Sequence, residues 1–295
     1  MYDFMSVCRA ASVEDAAAIL EKDDNAVLIA GGTDVLIRIR EGKFVGKSLV
    51  SIGGLDALRG VEKRGDGAIV IGPCTTFTEL SEHPVIREHI PMFGHAISQV
   101  GGPQIRNVGT IGGNVCNGAT SADSAPSLFA LDAELRLQGP SSERTVPIQA
   151  FYAGPGRVKL ERGEVLTAII IRPESYMGFS GHAIKYARRN AMDIATLGLA
   201  VSVKLDGAKE KIQEMRLAFG VAAPTPVRCP KAEEVVKGMA ITEELFETVG
   251  RIALEDVTPR GSWRASKEFR LQLVQELSGR CLKQAILNGG GHVPC

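Results

Sequence analysis

Two pairs of adjacent glycines are the residues best suited to chemistry with something outside the chain. They are Gly31–Gly32 in Ala30-Gly31-Gly32-Thr33-Asp34 and Gly112–Gly113 in Thr110-Ile111-Gly112-Gly113-Asn114. Glycine costs backbone entropy, so a pair at the mouth of the apolar run Val27-Leu28-Ile29 needs a reason. Either the chain turns too sharply for a side chain there, or another group comes close to the backbone. Successive glycines also let consecutive main-chain N–H groups converge on one anion. Thr33 and Thr110 add hydroxyl donors. A pyrophosphate has enough oxygens to engage both segments, so together they read as a doubled cradle for a nucleotide or other phosphate-bearing ligand. The alternative is that both glycine pairs serve only tight turns.

Other chemistries lack their residues. The sequence has no G-x-G-x-x-G, no G-x-x-x-x-G-K-[ST], no H-E-x-x-H and no G-x-S-x-G. His83, His89, His95, His182 and His292 form no metal-ligand pattern, so no metal site is expected. The six cysteines, Cys8, Cys74, Cys116, Cys229, Cys281 and Cys295, contain no C-x-x-C pair. They read as reduced thiols of a cytoplasmic protein, and an iron–sulfur cluster in this chain is not expected. Lys+Arg and Asp+Glu number 34 each, which argues against binding nucleic acid or a membrane surface. No apolar run approaches the ~20 residues of a membrane helix, and the acidic, discontinuous N-terminus is not a secretory signal.

The 295 residues are 44% hydrophobic, enough for a substantial core and about two domains. Ser12 with Asp15 marks a helix start between short strands, and "AVLIA" and "KSLVSI" read as buried strands of a small parallel sheet. The texture then changes to a hairpin turning at Arg64–Gly67 and a capping box at Thr76 and Glu79, whose helix Pro84 interrupts. A further helix begins at Pro91. Residues 101–118 read as a glycine-rich loop, followed by a helix near Ala125–Leu131, a hairpin over 133–148 and the strand "EVLTAIII". Three strands follow a boundary in 172–181, and everything from Lys231 on reads as helical.

On four motifs the chain resembles the flavin-binding medium subunit of molybdenum hydroxylases. These are Ala30 to Asp34, Gln104-Ile105-Arg106-Asn107, Thr110 to Asn114 and the late "RLAFGVAAPTPVR". The runs "GGPQIRNVGTIGGNVCNGATSADSAP" and "VTPRGSWRASKEFR" are similar to the xanthine-dehydrogenase branch of that family. The resemblance implies an α+β fold. It has an FAD-binding domain of the PCMH or vanillyl-alcohol-oxidase type over 1–175, in subdomains 1–54 and 55–175. A C-terminal domain of the carbon monoxide dehydrogenase flavoprotein type then covers 176–295. It also implies non-covalent FAD in this chain and partners that complete the assembly: a 2Fe–2S small subunit and a molybdenum–pterin large subunit, as a heterotrimer or a dimer of heterotrimers. Electrons from purine oxidation would pass through the clusters and FAD to NAD+. The same resemblance leaves room for a carbon monoxide, aldehyde or nicotinate substrate. A nucleotide-binding scaffold without redox function is the alternative of another class.

By match to the family, Val27, Leu28, Ile29, Ala30, Gly31, Gly32, Thr33 and Asp34 hold the FAD diphosphate. Gly109, Thr110, Ile111, Gly112 and Gly113 also wrap the cofactor. Asp123 matches an aspartate that hydrogen-bonds it, Leu166 an apolar residue beside it, and Lys185 a cation near the flavin. Each has a plain alternative: Asp123 as a helix cap, Leu166 as core, Lys185 as a solvated charge. Residues 187–198 match a loop beside the flavin. Trp263, the only tryptophan, is expected in the core, with a subunit contact as the alternative. No side chain is assigned as a catalytic acid or base.

Overall fold

The computed structural model describes residues 3–294, and Cys295 lies outside them. The first layer is the expected parallel sheet, with Ser48–Ser51 between Ser6–Arg9 and Ala26–Ile29. The helix Val13–Lys22 crosses between its strands, and the Ser12 hydroxyl accepts from the Asp15 N–H. This helix buries Ala16 and Ala17 against Val50 and Leu28. The free ends of the strands thereby gather on one side, where a parallel α/β unit presents its loops.

A five-stranded antiparallel sheet follows, in the order Val61–Lys63, Ile69–Ile71, Val165–Ile171, Glu134–Gln138, Glu143–Pro147. Both expected hairpins are there, and the Gly67 N–H donates to the Arg64 carbonyl to close the first. Val165–Ile171 runs through the middle and is buried on both faces except at Thr167. The Thr76 capping box opens Phe77–Glu82, which ends at His83 where Pro84 starts a separate helix. Residues 101–118 are not an open loop. They fold into the helices Pro103–Arg106 and Ile111–Asn117, because Pro103 sits at a first helical position and Thr110 caps the second helix.

The third sheet is antiparallel: Ser180–Tyr186, Leu197–Leu205, Ile212–Gly220 and Val227–Arg228. The helices Glu243–Ala253 and Lys267–Asn288 cover one face and share its core with Leu199, Val201 and Phe219. On the other face lies the helix Ala125–Ala130, whose Pro126 meets Gly198 and Gly220. The stretch from Lys231 is not helical throughout. Residues 258–266 form an extended turn with Ser262 bridged to Ala265, before Ser266 caps the long helix. Among the described residues no helix is long and apolar enough to cross a membrane, and the five described cysteines are unpaired.

Candidate functional site

A cleft of about 500 Å³ opens where the parallel sheet meets the five-stranded sheet, a size usual for cofactor sites. One wall is the segment leaving the strand Ala26–Ile29. Gly32 adopts φ +75°, turning the chain into the helix Val35–Arg40. The main-chain N–H groups of Gly31, Gly32, Thr33 and Asp34 meet no acceptor among the described residues. Four free donors in sequence at a helix start are a nest for an anion. Arg38 on the same helix lines the cleft, lies 5.6 Å from the Phe44 ring centroid and donates to Asn117 Oδ1. It adds a cation beside the nest.

The opposite wall corrects the doubled cradle. Gly109 N–H donates to the Ile105 carbonyl, Ile111 N–H to Thr75, Gly112 N–H to Pro73, and Gly113 N–H to Thr110 Oγ1. These four donors are committed within the chain, and in this segment the Thr110 N–H alone meets no acceptor among the described residues. Gly112 is glycine because a Cβ there would lie 2.3 Å from Pro73 Cβ. Gly31 has a similar reason, since its Cβ would stand 1.8 Å from the Val108 carbonyl oxygen. The opening question therefore has an answer inside the chain: the two glycine segments touch each other. What the second segment offers the cleft is side chains, Thr110, Asn114 and Asn117, which share one helix face, with Cys116 beside them.

The floor is Leu160 to Leu166, with Leu166 buried at 4% exposure in the same core cluster as Phe77 and Val100 of the lining. Arg144 fixes the turn before it. Its guanidinium donates twice to Glu164, at 2.6 and 2.8 Å, and those bonds hold the Glu164 carboxyl below its ordinary value. Glu164 also accepts from the Glu161 N–H.

Of the residues picked out from sequence, Val27, Leu28, Ala30 to Asp34, Thr110, Gly112, Gly113 and Leu166 line this cleft. Ile29, Gly109 and Ile111 do not; they stand behind its wall. Asp123 and Lys185 lie off the wall as well, but they find each other. Lys185 Nζ is 2.7 Å from Asp123 Oδ2 and donates to the Gln99 carbonyl, with both side chains only 11% exposed. Asp123 is not a helix cap, since Ser124 holds that position and makes no side-chain cap bond. Lys185 is likewise not a solvated charge. Burial pushes the Asp123 carboxyl up to about 6 against the pull of Lys185, and its Oδ1 is buried without a partner. Ser124 Oγ donates to Oδ1 of Asn114, tying the pair to the cleft. The 187–195 loop closes on itself through Arg189 and Asp193, and its Met192 lies beside Gly102.

Sequence reasoning missed Arg38, Asn114, Asn117, Phe77 and the 160–165 turn. The i, i+4, i+7 spacing of Thr110, Asn114 and Asn117 was the available signal, hidden by reading that stretch as a loop.

A parallel α/β unit with a free N–H nest and an apolar floor defines a cleft for a phosphate-bearing ligand of nucleotide size. Comparison agrees. Residues 3–174 match the FAD binding domain in molybdopterin dehydrogenase, and residues 182–285 match the CO dehydrogenase flavoprotein C-terminal domain. The chain belongs to the FAD-binding medium-subunit family of molybdenum hydroxylases, as an oxidoreductase subunit. It is 45% identical to the xanthine dehydrogenase FAD-binding subunit of Escherichia coli, over 99% of both chains. The nicotinate dehydrogenase FAD-subunit of Eubacterium barkeri is 32% identical over 90% of each. The fold matches carbon monoxide dehydrogenase of Hydrogenophaga pseudoflava with TM-score 0.92 and 27% identity, covering 98% of this chain and 99% of that one.

Proposed function

We propose that this chain carries FAD in the cleft and serves a xanthine-dehydrogenase-type hydroxylase, passing electrons from partner iron–sulfur clusters to NAD+ in the cytoplasm. The observation that carries the reading is the row of unpaired N–H groups from Gly31 to Asp34. Their only fitting occupant is an anion, and Arg38 beside them is a matching cation. When bound, FAD would supply the chemistry: two single electrons in, and one hydride, which carries both electrons, out.

The chain's own residues position and tune. Gly31 to Asp34 and Arg38 grip the diphosphate. Phe77, Val100 and Leu166 give an apolar surface that excludes water from the ring. Lys185, held by Asp123 and the Gln99 carbonyl, lies off the cleft wall, and the Asp123 carboxylate balances its charge until that carboxyl takes up a proton below about 6. No side chain here needs to move a proton. Arg188 and Arg189, exposed on the 187–195 loop, are the cations that would receive a nicotinamide dinucleotide.

The test is reconstitution. Adding FAD to the purified chain gives flavin absorption on the protein, and anaerobic NADH bleaches it. A chain that stays colourless refutes FAD binding; a yellow chain that NADH leaves unbleached refutes the acceptor. Purification with its natural partners, followed by assay on hypoxanthine and xanthine against an aldehyde and nicotinate, decides the substrate.

A further inference from the structure

Trp263 is 76% exposed, not in the core. The turn that presents it is nevertheless rigidly built. Ser262 bridges Ala265, and the Arg264 guanidinium lies 4.2 Å from the Trp263 ring centroid. Beneath the turn Arg270 is buried, and it donates to the carbonyls of Arg260 and Ala265 and to Ser262 Oγ. Its Nε donates to the Thr196 carbonyl, which joins the turn to the end of the 187–195 loop. No carboxylate pairs with Arg270 among the described residues. The charges that act on it are Arg260 and Arg264, which are cations themselves. Lys267 is exposed at the start of the long helix, where it adds a further cation beside the exposed Glu268.

Arg270 is satisfied by these carbonyls and the Ser262 hydroxyl, whereas Arg260 and Arg264 above it make no ion pair among the described residues and are the cations an acidic group from outside would meet. An exposed Trp stacked with a half-buried Arg is the composition of an interface hot spot. The next exposed aromatics, Tyr186 and Phe269, pack edge to face 6.0 Å apart beside it.

We propose that the Trp263 turn, with Arg260, Arg264 and Lys267, docks onto an acidic surface of a partner subunit of the assembly. The inference rests on the proposed function, since it needs such an assembly. A second copy of this chain with the same turn on the two-fold axis does not fit, because that pairing would set cations against cations. The position suits electron delivery. Met192 of the adjoining loop lies beside Gly102, and Ile105 of the same segment lines the cleft.

The experiment uses the assembly purified through a tag on this chain, comparing wild type with Trp263→Ala and Arg264→Glu. Both residues are at the surface, so the fold is retained. The share of chain in the assembly is read by size-exclusion chromatography, and FAD per chain by absorbance. Both variants are expected to lose assembly at least about 10-fold with FAD per chain unchanged, and added salt to weaken the wild-type assembly. A photo-crosslinker at position 263 is expected to bond to an Asp/Glu-rich segment of the large or small subunit. Variants that assemble like wild type, crosslinks to a second copy, or joint loss of assembly and FAD each overturn the proposal. A wild-type chain that binds FAD yet never enters an assembly overturns the proposed function instead.

Discussion

Gly31→Ala separates the nest from ordinary turn-making. The added Cβ would stand 1.8 Å from the Val108 carbonyl oxygen and 2.7 Å from its carbon. Both are main-chain atoms, so no rotamer relieves the overlap. One segment must shift by more than 1 Å before the contact reaches even 3.0 Å. That shift turns the free N–H groups away from where they converge. A hydrogen bond to a charged acceptor contributes about 1.5–3 kcal/mol. Misaiming two of the four donors therefore weakens FAD binding by about 3–6 kcal/mol, or about 10²- to 10⁴-fold in Kd. Gly32→Ala is the control. The nearest atoms to its Cβ are side-chain carbons of Ile29 and Leu36, from 3.3 Å, with no main-chain atom among them. Its cost is the φ of +75°, about 1–2 kcal/mol of stability. The assay is an FAD titration followed by quenching of flavin fluorescence, with thermal midpoints for both variants. Wild-type FAD affinity in Gly31→Ala, or a larger affinity loss in Gly32→Ala than in Gly31→Ala, would refute the reasoning.

Arg38→Met removes the cleft cation that has no carboxylate partner among the described residues, Arg162 being paired with Asp24, and its bond to Asn117. FAD should bind about 10-fold more weakly, a gap that narrows as salt rises; a salt-independent gap would speak against a charge effect. Glu164 has its carboxyl lowered by Arg144, so its stabilising contribution is present above 4.5 and lost as pH falls through the lowered value. Urea unfolding of Glu164→Gln should lack that acid limb, and an unchanged pH profile would count against the Arg144 clamp. For Asp123 the sign reverses. Its carboxyl is raised from 3.8 to about 6 by burial, so the stability linked to its proton is fully present below 3.8 and lost as pH climbs through about 6. Asp123→Asn should flatten that slope, and a wild-type slope of opposite sign would remove the explanation.

Local chemistry made much of the fold legible. Ser12 and Thr76 cap helices through side-chain oxygens reaching N–H groups three residues on, a contact written in the sequence itself. The alternation of strand and helix over the first 52 residues likewise prescribes a parallel sheet. Reading failed where one segment's conformation depends on another. Residues 101–118 look like a loop because of their glycines, yet those at 112 and 113 are helical because Pro73 and Thr110 take up their N–H groups. Lys185 resembles any surface lysine until Asp123, 62 residues away, comes within 2.7 Å.

The amino-acid order alone pointed to a phosphate-bearing ligand, through Gly-Gly-Thr-Asp after an apolar strand, with tight turns as the alternative, and to the family, through motifs spread along the chain. Tertiary structure alone decided which N–H groups remain free to bind. Every glycine amide is the same donor in sequence. Only packing determines whether a carbonyl from elsewhere in the chain has already claimed it.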